Sequence, residues 1–276
     1  MKHLLLLLAY CTCVGTVTAQ AISDSLRQTT HATLLGIGGV HHLDTYLSPQ
    51  TYSGLQLHFL RESLRRTRLA AGRISFQSLV HAEASITSPS ADNANDLGGT
   101  LSYDATWHYN WQVGDFRLMA GPQVGGTIGI LYNTRNGNNP AQAIAKLNLS
   151  ASLAAIYGFR LWGHHFSVRD QLDLPLLGAM FSPAYGQSYY EIFSLRQYDH
   201  NIRCTHPFNA PSLRNQLTLD FPLRNHTFRI GYLIDIRQSH VNDIRCHSYT
   251  HAFLIGWVRH FTRRKHRQAM QEGFIL

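Results

Sequence analysis

Leu101-Ser102-Tyr103-Asp104-Ala105-Thr106-Trp107-His108-Tyr109-Asn110-Trp111 alternates apolar and polar side chains without a break. Successive residues of a strand point to opposite faces, whereas a helix would mix the two sets on one side. The stretch therefore reads as one long strand, with Leu101, Tyr103, Ala105, Trp107, Tyr109 and Trp111 sharing a face. Residues 116–130, 145–159, 213–221 and 228–236 repeat the pattern. Weaker versions fall at 33–39, 52–60, 69–80, 166–176 and 249–261, which brings the count to about ten. A hairpin around 189–195 would raise it to twelve.

Three features turn these strands into a membrane barrel. Several are longer than the five or six residues usual in soluble sheets and match the length of a tilted spanning strand. Aromatic residues gather near strand ends, as in Trp107-Tyr109-Trp111, Tyr157-Phe159-Trp162 and Trp257-Phe261, where interfacial girdles sit. The connections also alternate in length. Those at 61–68, 112–115, 160–165 and 222–227 are short; those at 41–50, 82–98, 131–143, 177–210 and 238–248 are long. The expectation is an all-β, antiparallel up-and-down transmembrane β-barrel with periplasmic termini and long external connections. A soluble periplasmic barrel binding an apolar ligand is the alternative; it would turn its apolar faces inward.

The chain opens on Met1-Lys2-His3, continues through Leu4 to Leu8 and reaches Val17-Thr18-Ala19 before Gln20. This order of charge, apolar stretch and small residues marks a secretory signal peptide at 1–19. A lipoprotein signal ending at Cys11 fits less well, because the bulky Tyr10 precedes the cysteine. The barrel then occupies 20–262 and a basic tail 263–276, in the bacterial outer membrane. A helical membrane protein is excluded, since no later apolar run approaches the length a spanning helix needs. Net charge is +8, and +7 without Lys2 of the leader (8 − 1). For an exported protein this favours contact with outer-membrane lipid and lipopolysaccharide, and no nucleic-acid module is visible.

If the apolar faces meet lipid, the lumen holds Arg73, Asp104, His108, Arg117, Lys146, Arg169, Asp173, Arg214, Asp220, Arg229, Asp235 and Arg237. Ten strands enclose little more space than side chains fill, so these charges should pair, for instance Asp104 with Arg117. A plugged interior is favoured over a narrow pore. Pro122 suggests a bulge, because it cannot donate to the ladder. Asp170 falls on the lipid-facing parity of its strand, which leaves that strand's register open.

His165 and Ser167 share a face beside a periplasmic turn, and neither a Gly-x-Ser-x-Gly elbow nor a His-Glu-x-x-His motif occurs. No catalytic residue, metal or cofactor is assigned. The reading is a non-enzymatic barrel (structural, surface-binding or narrow pore), with a lipid-modifying hydrolase in the same barrel as the alternative. Cys204 and Cys246 fall in expected external loops and are candidates for a disulfide. Free thiols, or a zinc site with His206 and His247, are the alternatives. The segment 177–210 carries Tyr185, Tyr189, Tyr190 and Tyr198, a composition suited to a surface protein or glycan partner.

Tyr46-Leu47-Ser48-Pro49 with Tyr52-Ser53-Gly54, then Tyr189-Tyr190-Glu191-Ile192-Phe193, Leu217-Thr218-Leu219-Asp220-Phe221-Pro222 and Arg229-Ile230-Gly231-Tyr232, form a recognisable set. In these the chain resembles the uncharacterised outer-membrane barrel proteins common in Bacteroidetes, a domain of unknown function. The resemblance spans most of the mature chain and implies a barrel, with no activity attached.

Overall fold

A computed structural model describes residues 26–264, apart from 92 and 225. The expected signal peptide at 1–19 and residues 265–276 of the expected tail lie outside the described residues. Eleven strands follow in chain order: β1 (Leu26–Asp44), β2 (Thr51–Arg66), β3 (Ile74–Pro89), β4 (Asp96–Val113), β5 (Phe116–Asn133) and β6 (Ala141–Leu161). Then come β7 (His164–Phe181), a short helix α1 (Tyr189–Phe193), β8 (Ile202–Thr205), β9 (Ser212–Leu223), β10 (His226–Val241) and β11 (Ile244–Arg264). Neighbours pair antiparallel from β1 to β7, then β7 with β9, β9 with β10 and β10 with β11, which returns to β1. Ten strands thus close a ring, and no barrel edge is left exposed. The short β8 lies outside the ring, paired only with Gly178–Phe181 at the end of β7.

The parity of the sequence becomes the two faces of this wall. Ile128 is 63% exposed, Leu147 66% and Phe253 71%, whereas His108 is 0% and Asp173 4%. A soluble barrel would show the reverse. Aromatic side chains ring the outside near the end where β1 begins and β11 ends: Tyr109 with Trp111, Phe116 with Tyr157, Phe159 with Phe166, Phe221 with Phe228 and Phe261 with His31. Near the other end His41, His247 and Tyr249 stack face to face.

Several local expectations are corrected. The helix Tyr189–Phe193 stands where a strand hairpin would have made twelve. Its N-terminus is closed by a capping box in which Ser188 Oγ accepts from Glu191 N–H and the Glu191 carboxylate accepts from Ser188 N–H. The expected long connection at 238–248 is a tight turn. Asn242 and Asp243 adopt φ 53° and 61°, which lets β10 and β11 pair up to Val241 and Ile244. The expected loop at 82–98 is mostly strand, because β3 runs to Pro89 and β4 starts at Asp96. Length asymmetry between the two ends is therefore carried mainly by the 182–211 segment.

The bulge is elsewhere than at Pro122. Pro122 sits in register with Ala151 of β6, and on its other side the β4–β5 pairing lapses at Gly121 and Pro122 without a shift. By contrast, Leu149 pairs with Leu177 and Ser150 with Pro175, leaving Leu176 as the extra residue. A proline does flank the irregularity, but it is Pro175. Leu176 and Leu177 consequently both face outward, 50% and 51% exposed. Asp170 keeps its outward parity and is exposed; its carboxylate accepts from Asn215 Nδ2 at 2.8 Å.

Candidate functional site

The inward face is braced by side chains that cross the lumen. In the half where β1 begins and β11 ends, Glu62 of β2 accepts from Arg169 of β7 and from Arg229 of β10, the latter at 2.9 Å. Arg229 also forks onto Asp220 at 2.5 and 2.8 Å. Gln77 Nε2 donates to Gln171 Oε1 at 3.0 Å, from β3 to β7. Beside these contacts Leu34, Leu60, Leu79, Leu233, Ala252 and Leu254 form an apolar cluster on the β10–β11–β1–β2–β3 wall. Bidentate guanidinium–carboxylate geometry is what makes such buried charges tolerable, since an unmatched one costs several kcal/mol.

The other half holds a cavity of about 230 Å³ beneath the 182–211 segment. Its floor is a second set of ion pairs. Arg214 Nη2 donates to Asp104 at 2.7 Å and to Asp173 at 2.8 Å, while Arg237 links Asp235 at 2.5 Å with Glu83 at 2.5 Å. The lining carries the carboxylates Asp44, Glu83, Asp104, Asp173 and Asp235 against Lys146, Arg214 and Arg237. Two negative charges are in surplus (5 − 3), and Lys146 belongs to no ion pair among the described residues.

Asp104 thus pairs with Arg214 and not with Arg117. The β4–β5 register sets Asp104 opposite Gly125 and Arg117 opposite Gln112, about 26 Å apart along the strand at about 3.3 Å per residue. Arg117 has no ion-pair partner among the described residues, and its Nε is buried without a hydrogen bond. Gly125 makes the Asp104 pairing feasible: a Cβ there would stand 2.1 Å from Asp104 Oδ1. Arg73 is not in the lumen at all. β3 begins at Ile74, so Arg73 lies exposed in the preceding turn, where it donates to Tyr109 Oη at 3.0 Å.

Sequence reading missed the two acids that organise the lumen. Glu62 lies just beyond the expected end of its strand and Glu83 inside an expected loop. Both continue the inward parity of their neighbours, so extending the alternation by one or two steps would have found them. Also missed were His58 and His81. His58 Nδ1 lies 3.0 Å from His81 Nε2 and 3.9 Å from Glu83 Oε1, and the last two are 3.5 Å apart. Among the described residues this is the one group of three or more metal-ligating side chains whose donor atoms converge.

Other candidates separate. Cys204 and Cys246 are free thiols, not a bonded pair: Cys204 is exposed on β8 opposite Ala179, and Cys246 lines the cavity on β11 opposite Ser239. His247 points outward into the stack with His41 and Tyr249, so the four Cys and His residues do not meet. His165 is exposed at the start of β7. A different serine, Ser152, sits between His108 Nε2 at 2.9 Å and Asp173 Oδ1 at 2.6 Å. A nucleophilic triad needs the histidine in the middle. Here the serine bridges the other two and is fully buried.

At the mouth, two of the short motifs meet. Tyr46 and Tyr189 pack edge to face with centroids 6.0 Å apart, against Leu47 and Ile244. Tyr46 Oη donates to Gln187 O at 2.8 Å and Tyr189 Oη to Gln142 Oε1 at 2.9 Å. Burial pushes both phenols above their ordinary pKa, so they remain neutral donors. The segment they anchor leaves Tyr185, Tyr190, Tyr198 and Phe208 exposed.

An apolar outer band, aromatic girdles and a charged, braced lumen define the class: a closed ten-stranded antiparallel β-barrel of the transmembrane type. The chain belongs to the family DUF3316, described as a protein of unknown function, which it matches over residues 3–268. A search of the curated proteins finds no match. Among solved structures it is similar to the outer-membrane protease OmpT from Escherichia coli, with 8% identity, TM-score 0.46 and coverage of 90% of this chain and 100% of that one. It is also similar to the transport unit of the autotransporter AIDA-I from Escherichia coli, with 8% identity, TM-score 0.42 and coverage of 93% and 97%. These are likenesses of barrel to barrel, and no residue role passes from them.

Proposed function

We propose that this protein is a non-enzymatic barrel of a bacterial outer membrane whose lumen is a blind cup and not a conduit. The observation that carries the reading is the double floor. Arg214 and Arg237 with their carboxylates close the cavity, and the Arg169–Glu62–Arg229 bridge fills the lumen behind it. Membrane insertion is supported by the exposed apolar band, which in water would be a large aggregation-prone surface. The motifs at Tyr46–Pro49 and Tyr189–Phe193 support a Bacteroidetes source, and an exported chain is the natural reading of residues 1–19.

In this reading the cup faces outward and its surplus of carboxylates favours small cationic solutes over anions. The exposed aromatic side chains of the 182–211 segment offer a second surface, suited to a protein or glycan. Outer-membrane lipid and lipopolysaccharide surround the wall. Planar-bilayer recording of the purified full-length barrel tests the closed lumen. The expected trace shows no steady conductance; a stable ohmic current in every insertion would overturn it.

A further inference from the structure

The floor of the cup contains an arrangement that ion pairing does not explain. His58 and His81 are 3% and 1% exposed, and Glu83 is 6%. His58 Nδ1, His81 Nε2 and Glu83 Oε1 face one another at 3.0, 3.5 and 3.9 Å. With both protons on the far nitrogens, three lone pairs converge, and these repel unless something positive lies between them. In the other tautomers one imidazole N–H donates to the other at 3.0 Å. A cation near the plane of these atoms would lie about 2.0 Å from each, the distance at which zinc takes imidazole nitrogen and carboxylate oxygen.

We propose that His58, His81 and Glu83 form a binding site for one divalent cation of the zinc type. Two neutral imidazoles and one carboxylate are the donor set that borderline cations prefer over calcium or magnesium, which take oxygen ligands. The far nitrogens, His58 Nε2 and His81 Nδ1, have no hydrogen-bond partner among the described residues, so neither tautomer is fixed from outside the cluster and both converging nitrogens can present a lone pair. Glu83 is held in place around the site. Thr100 Oγ1 donates to its Oε2 at 2.6 Å, and Arg237 donates to Oε2 at 2.9 Å and to Oε1 at 2.5 Å. Asp235 answers Arg237 at 2.5 and 3.0 Å, so the guanidinium's charge is already matched and Oε1 keeps a lone pair for the ion. Such outer partners fix first ligands in metal centres. Strand register explains the convergence: His58 is directly opposite Glu83 across β2–β3, and His81 precedes Glu83 by two residues on the same face. Gln56, Glu83 and Ser85 line the cup, which gives the ion a path in. The site needs only the barrel fold and stands whether or not the lumen conducts.

The test uses the full-length chain folded in detergent, stripped with chelator and dialysed against Zn2+ alone. One Zn2+ per folded chain is expected, with affinity falling at least about tenfold in His58→Gln and in His81→Gln. Folding of each variant is checked by its heat-dependent gel mobility. His108→Gln and the double variant Cys204→Ser/Cys246→Ser retain the ion. Co2+ in place of Zn2+ gives ligand-field bands without a thiolate charge-transfer band, which decides the matter should a histidine variant fail to fold. No retained ion, retention indifferent to His58 and His81, or a thiolate band lost with the cysteines would each overturn the proposal.

Discussion

The two halves of the lumen are built from the same residue types and differ in their charge balance. In the half where β1 begins and β11 ends, Glu62 and Asp220 meet Arg169 and Arg229 in direct pairs, and Arg117 is left without an ion-pair partner among the described residues. Toward the mouth, five carboxylates face three cations around a cavity, and Lys146 has no ion-pair partner among the described residues. A narrow barrel must fill its interior and match its charges to be stable. The first half fills its space and leaves one cation, Arg117, over. The second leaves space and charge over, which is where a ligand has something to bind.

The largest expected effect breaks the braced half. Glu62→Ala would leave Arg169 and Arg229 buried without their common partner, a loss of about 3–5 kcal/mol. Urea unfolding in micelles should show a much lower midpoint, or no folded band. A modest change would mean that the bridge is not structural. Next, Gly125→Ala places a methyl against Asp104 and pushes it off Arg214, costing about 1–3 kcal/mol by overpacking. The same unfolding assay should register it, and an unchanged midpoint would contradict the geometry of the cup floor.

A smaller effect sharpens the contrast between inside and outside. Asp170 is a carboxylate on the lipid-facing side, answered by Asn215 alone. Asp170→Leu should raise stability by about 1 kcal/mol, since acidic residues on the lipid face cost less than basic ones but are still unfavourable. Destabilisation would show that Asp170 faces a partner and not lipid. The smallest effect concerns the mouth. The Ser188 backbone N–H and hydroxyl hold the Glu191 carboxyl below its usual range. Its folded pKa is depressed, so its capping contribution is complete above the ordinary carboxylate pKa and is lost as pH falls through the folded value. Amide exchange in α1, corrected for intrinsic rates, should speed up on acidification below about pH 4.5. Glu191→Gln should abolish that dependence.

Much of the fold was legible because the wall has one apolar face. The alternation at 101–111 lies wholly inside β4, and that at 145–159 inside β6. Strand ends were not legible, since near the mouths both faces meet polar surroundings and the alternation fades. That is why the alternation does not mark Glu62 and Glu83 and extends β3 back past Arg73. The Asn242-Asp243 turn carried a readable signal, two residues tolerant of positive φ between alternating runs, but the surrounding polar residues hid it. The lumen pairs are a different matter. Arg229 is 167 residues from Glu62 and Arg214 is 110 from Asp104, and which charges face across the lumen depends on the closure of the ring. Parity places a residue inside the barrel and says nothing of its partner there.

The claim under all of this is that the apolar face meets lipid and the charged face is enclosed. Cell fractionation followed by gel mobility of the detergent-extracted outer membrane, with and without boiling, tests it most directly. The protein should appear in that fraction and migrate differently once boiled, as a closed barrel that resists cold detergent. Recovery in the soluble periplasmic fraction, with no heat-dependent shift, would contradict the account.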